Sequence, residues 1–210
     1  VLHTPEDFHE LALAYFRRAH ADGVVHADIS FDPQGHLARG IEFDIPFQGL
    51  IRAMRDAEKQ LGISSALVMS FLRDEPAQDA LDVFERAEPW YDQIAAIGLD
   101  NAERGNPPGK FRDVYERARA VGLARTAHAG EEGPPAYISE ALDVLGVDRI
   151  DHGVRCVEDP ELLRRLHASQ TPLTVCPLSN VNLHVVESLA EHQLPQMLEA
   201  GLNISVNSDD

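Results

Sequence analysis

Lysine is nearly absent: Lys59 and Lys110 are the only two in 210 residues. Lys and Arg together number 18 against 35 Asp and Glu, a formal net charge of −17. That balance argues against nucleic acid or an anionic membrane as the main partner, because both repel it. Two cysteines, Cys156 and Cys176, are too few for a disulfide scaffold, and a reducing cytoplasm is the expected compartment. No apolar run approaches the roughly 18 residues of a membrane span. The start VLHTPEDFHE lacks the basic and apolar stretches of a secretion signal. No Gly-rich dinucleotide or phosphate loop, no G-x-S-x-G elbow and no C-x-x-C pair occurs. His9-Glu10 opens like a zinc-protease motif, but Leu13 stands where the second His is required. What is present is a hydrophobic fraction of 44% beside 25% charged residues, enough to build a core.

The organisation is an alternation of short apolar runs and amphipathic stretches. Strands are expected at 24–31, 65–71, 94–100, 123–128, 149–152, 173–176 and 202–209, with helices between them, one before the first at 5–21 and the last at 188–200. Such spacing predicts a parallel sheet with right-handed crossovers. A doubly wound sheet and a (β/α)8 TIM barrel both fit the alternation. The missing Gly-rich first turn and the seven regular units favour a barrel short of one strand. The expectation is one partial barrel domain over 1–210. The chain opens on Val1 and stops at Asn207-Ser208-Asp209-Asp210 straight after a strand-like run, so it reads as cut from a longer protein.

Barrel chemistry sits at the carboxyl ends of strands. Those ends carry Asp32, Asp100, His128, His152, Asn180 and the pair Asp209-Asp210. His128-Ala-Gly-Glu131 is the most specific piece: a small-residue turn can set an imidazole for a metal beside a carboxyl for proton transfer. A plain helix start, where acids are favoured, reads equally well there. Asp151-His152-Gly153 also fits a hydrogen-bonded structural His, and Asp209-Asp210 also fits an acidic loop. On an extended backbone those two carboxylates point to opposite sides. His3, His20, His36, His167, His184 and His192 fall on expected helices or loops and read as solvated. Cys176 reads as a small buried apolar residue. Neither lysine ends a strand, so a lysine-bridged metal pair is disfavoured against a single metal.

His128-Ala-Gly-Glu131, Asp151-His152-Gly153, Val175-Cys176-Pro177-Leu178-Ser179-Asn180 and Asn207-Ser208-Asp209-Asp210 stand in the order and spacing of the adenosine and adenine deaminase family, zinc barrels of the amidohydrolase superfamily. The resemblance spans essentially the whole chain. HAGE followed by Glu132-Gly133-Pro134-Pro135, together with CPLSNVNL, resembles the adenine deaminase branch more than the adenosine branch. The resemblance implies hydrolytic deamination of adenine to hypoxanthine and ammonia, in purine salvage, as hydroxide adds at C6. Adenosine, an N6-substituted adenine, or no turnover at all are the alternatives. It implies His128 and Asp209 as ligands of one zinc ion and Glu131 as proton donor to the purine N1. It further implies His152 as the residue that orients and deprotonates the attacking water, and Asp210 as a hydrogen-bond partner of the purine N7. Glu103 is expected near the pocket that separates base from nucleoside. The family's other two zinc ligands form an H-x-H pair on strand 1. No H-x-H occurs here, so these 210 residues alone are expected to bind zinc poorly and lack activity.

Overall fold

The computed structural model describes residues 2–209. Seven strands follow one another through a single sheet in chain order: β1 (His26–Phe31), β2 (Ser64–Leu72), β3 (Ala96–Asp100), β4 (Ala124–Ala129), β5 (Arg149–His152), β6 (Leu173–Val175) and β7 (Ile204–Val206). The sheet is parallel and open, and helices intervene between strands, the arrangement of a (β/α)8 barrel lacking one strand. The chain divides into two compact units, Val1–Leu72 with Gln78–Ile97, and Arg73–Ala77 with Gly98–Asp210.

The first unit is built on α1 (Pro5–Ala21), α2 (Pro33–Leu37), α3 (Asp44–Leu61), the β1–β2 pair and most of α4 (Ala77–Arg86). Thr4 and Asp7 exchange the two hydrogen bonds of a capping box, and Pro5 fills the first helical position, so α1 starts where its sequence dictates. Its apolar face buries Leu13 and Phe16 against Ala53, Ala57 and Ile63. Full burial of one such large side chain is worth about 1.5–3 kcal/mol. The two helices meet backbone to side chain at Gly49. A Cβ there would lie 2.4 Å from the Pro5 carbonyl oxygen and 2.6 Å from the Phe8 Cβ. Helical backbone suits alanine, so the contact alone decides the outcome. Gly49→Ala is expected to destabilise by about 1–3 kcal/mol, the range for overpacking. An unchanged urea midpoint would show that the helices separate freely.

The second unit carries β4 to β7 with α5 (Arg112–Ala120), α6 (Pro135–Glu140), α7 (Pro160–Ser169), α8 (Pro177–Asn182) and α9 (Leu194–Glu199). Parallel pairing sets His128 against Asp151 and Asp151 against Thr174. These three side chains therefore share one face of the sheet. Asp151 accepts from Thr126 Oγ1, from Thr174 Oγ1 at 2.7 Å and from Arg149 Nε at 2.9 Å. Burial alone would raise its pKa, but His128, Arg149 and the two hydroxyls hold it below the ordinary aspartate value. Tyr115, fully buried on α5, donates its hydroxyl to the Thr126 carbonyl at 2.6 Å.

The expected strands are all present, most with shorter ends. The last runs over Ile204–Val206 rather than 202–209, and the single helix expected over 188–200 is a 3-10 turn at Leu189–Glu191 followed by α9. Pro195 near the start of α9 suits a helix beginning there rather than one passing through. The short helices α2 and α8 have no counterpart in the periodicity, being 5 and 6 residues long.

Candidate metal and proton-transfer site

His128 lies next to last in β4. Its Nδ1 is 3.0 Å from the Leu99 carbonyl oxygen. A carbonyl only accepts, so Nδ1 carries the proton and Nε2 presents its lone pair. Arg73, fully buried, donates to the His128 carbonyl at 2.7 Å and twice to the Asn106 carbonyl, clamping the backbone at His128.

His152 ends β5 opposite Ala129. Strict alternation would place it on the face away from His128. Its φ of +67° breaks the alternation, and the two rings come to 4.8 Å between centroids. Asp209 also adopts a left-handed backbone, with φ +76°. Two non-glycine residues in that sparsely populated region, side by side in space, mark a site held in place by its surroundings. His152 Nε2 lies 3.8 Å from Asp209 Oδ2. One ligand atom from each of His128, His152 and Asp209 falls within 4.8 Å of the others, a cluster able to hold a metal ion. Two imidazoles and a carboxylate suit a borderline ion such as zinc better than a hard cation.

Glu131 stands on the turn after β4. That turn is tied down by Glu103, which is buried to 2% exposure. Glu103 Oε1 accepts from the Gly130 N–H at 2.6 Å, and Oε2 accepts from Glu131, Glu132 and Gly133 at 3.0, 2.8 and 2.8 Å. Gly130, at φ +72°, leaves no room for a side chain, since a Cβ would lie 2.4 Å from Ile138 Cδ1. So fixed, Glu131 sets Oε1 at 3.4 Å from His152 Nδ1 and accepts from Asn180 Nδ2 at 2.7 Å. Burial raises the Glu131 carboxyl to about 7; the neighbouring His128 opposes the rise and the Asp209 and Glu103 carboxylates add to it. Burial, reinforced by His128, pushes His152 below its usual value. Both shifts favour the neutral pair.

His128, Glu131, His152 and Asp209 thus converge. Asp210 lies outside the described residues. Asp209 is not on extended backbone, so the opposite-sides expectation for the acidic pair loses its premise at that residue. Asn180 sits on α8 rather than at a strand end, since β6 stops at Val175. Glu103, expected near a substrate pocket, has both oxygens taken by backbone N–H groups. His192, expected to be solvated, is only 5% exposed and bonds to Asn180. Arg73 gave one overlooked signal: a charge placed directly after the apolar run of β2.

Known proteins share the fold and much of the sequence. The chain is 58% identical over 210 residues to an adenine deaminase of Streptomyces coelicolor, covering all of this chain and 62% of that protein. The crystal structure of an adenine deaminase from Arthrobacter aurescens superposes with a TM-score of 0.98 at 53% identity, over 100% of this chain and 64% of that one. An amidohydrolase from Burkholderia ambifaria, solved with bound zinc, superposes at 0.93 with 33% identity, over 100% of this chain and 59% of that one. The chain therefore spans less than two thirds of the length of each of these relatives. The profile of the adenosine deaminase family matches residues 1–210, and the chain belongs to that family.

Proposed function

We propose that the protein containing this chain is a zinc-dependent adenine deaminase: adenine and water go to hypoxanthine and ammonia. The observation that carries the reading is the convergence of His128, His152 and Asp209 with the Glu131 carboxyl, 3.4 Å from His152 Nδ1. Two of the relatives are adenine deaminases, which supplies the substrate class. His128, through Nε2, and Asp209 would hold the metal, with two further histidines expected from sequence outside these 210 residues. When bound, zinc makes a nucleophile available from water near neutral pH.

This chain's own residues supply the proton transfers. His152, neutral and buried, accepts a proton from the attacking water as oxygen adds at C6. Glu131, protonated in its buried setting, donates to ring N1 and so relieves the negative charge that addition builds on the ring. Asp210 is the hydrogen-bond partner of the purine N7. The exocyclic amine takes the proton that His152 accepted and departs as ammonia as the C6–N bond breaks, while the remaining hydroxyl proton passes to the Glu131 carboxylate and leaves C6 as the carbonyl of hypoxanthine. Steady-state turnover of adenine and adenosine by the complete, zinc-loaded protein tests the reading. A clear preference for adenine is expected. Preference for adenosine would overturn the substrate assignment, and turnover of neither would overturn the deaminase assignment.

A further inference from the structure

The hydrogen bonds behind Glu131 have a fixed direction. His192 Nδ1 accepts from the Leu194 backbone N–H at 2.9 Å. A backbone N–H only donates, so Nδ1 is bare and the proton of the neutral ring sits on Nε2. His192 Nε2 lies 3.0 Å from Asn180 Oδ1 and therefore donates to it. That bond settles which end of the Asn180 amide faces which way: its Nδ2 turns to Glu131 Oε1 at 2.7 Å. The relay runs from main chain to carboxyl through two side chains. Asn180 is fully buried and His192 is 5% exposed, so water does not compete for these bonds. Burial also lowers the His192 pKa, in keeping with the neutral tautomer.

We propose that Asn180 and His192 are positioning residues for Glu131, holding Oε1 as a hydrogen-bond acceptor so that the proton it delivers is carried on Oε2. A protonated carboxyl can place its hydrogen on either oxygen. A donor fixed at Oε1 makes that oxygen the carbonyl-like one and selects the other as the acid. His192 acts through Asn180, and Asn180 acts through Glu131. The inference rests on the reading of Glu131 as proton donor.

The complete, zinc-loaded protein tests it with two variants at one position. His192→Gln keeps an N–H donor near the site of Nε2, whereas His192→Phe keeps the ring shape and removes the donor. His192→Phe is expected to lower kcat for adenine by up to about 100-fold, the scale of a misplaced catalytic group, with KM little changed. His192→Gln is expected to recover most of that loss at a similar thermal midpoint. Nitrogen NMR of the unmutated protein is expected to show His192 protonated on Nε2 and bare on Nδ1. Should His192→Phe fail to fold, the isosteric Asn180→Asp, which sets an acceptor against Glu131 Oε1, gives the same kcat readout. Unimpaired kcat in His192→Phe, equal losses in both His192 variants, or a proton on Nδ1 would overturn the proposal. Full activity in Glu131→Gln would instead overturn the proton-donor reading while leaving the tautomer measurement intact.

Discussion

Glu131→Gln is expected to lower kcat for adenine about 1,000-fold in the complete protein, with little change in KM; the range for a positioned general acid is about 100- to 10,000-fold. The substitution conserves volume. The Gln carbonyl oxygen can keep the bond from Asn180 Nδ2, now 2.7 Å from Glu131 Oε1. The amide nitrogen then occupies the place of the acidic oxygen, where it can donate a hydrogen bond to N1 but cannot surrender a proton. Ground-state binding survives and transition-state stabilisation of about 4 kcal/mol is lost. Equal falls in kcat and kcat/KM at unchanged zinc content are the signature to look for. Retention of full kcat would remove Glu131 from the proton-donor role.

The strands and the converging residues were legible because each rests on a local signal. Runs such as Ala66-Leu67-Val68-Met69 define strands by composition, and His128 and His152 close such runs. The supporting residues carry no local signal. His192 follows a short 3-10 turn in a stretch whose pattern predicts one continuous helix, and only the fold brings it against Asn180, 12 positions earlier. Glu103 meets the 130–133 turn across 27 to 30 positions of chain. Arg73 reaches the His128 carbonyl across 55. Expectations also failed where one residue leaves the regular backbone. Alternation presumes extended conformation, and the left-handed φ of His152 and Asp209 sets those side chains by a rule that periodicity does not contain. The strongly acidic composition changes meaning in the same way. Glu103 and Glu131 are buried and Asp151 is mostly covered, and each is held by particular donors.

Glu103→Leu is expected to be among the most destabilising single substitutions in the chain. The carboxylate satisfies four backbone N–H groups, from Gly130 to Gly133, three of them buried and that of Glu132 partly so. Leucine fills a similar volume but accepts nothing. At about 1–3 kcal/mol for each buried donor left unpaired, even partial rescue by entering water leaves a loss of about 4 kcal/mol or more. That is a large share of the roughly 5–15 kcal/mol that holds a folded protein together. The loss has a second component, because the Glu103 charge also favours the protonated form of the buried Arg73. Glu103→Gln should fall between the two. Its carbonyl can take the Oε2 position and keep three of the N–H bonds, while its amide nitrogen confronts the Gly130 N–H, donor against donor. The expected order of urea midpoints is therefore Glu, then Gln, then Leu. A Leu variant with an unchanged midpoint would mean that the turn finds other acceptors. Because the same four bonds place Glu131, activity should fall in the same order even under conditions where every variant remains folded. Loss of activity without loss of stability would assign Glu103 to the substrate, and parallel loss of both would assign it to the turn.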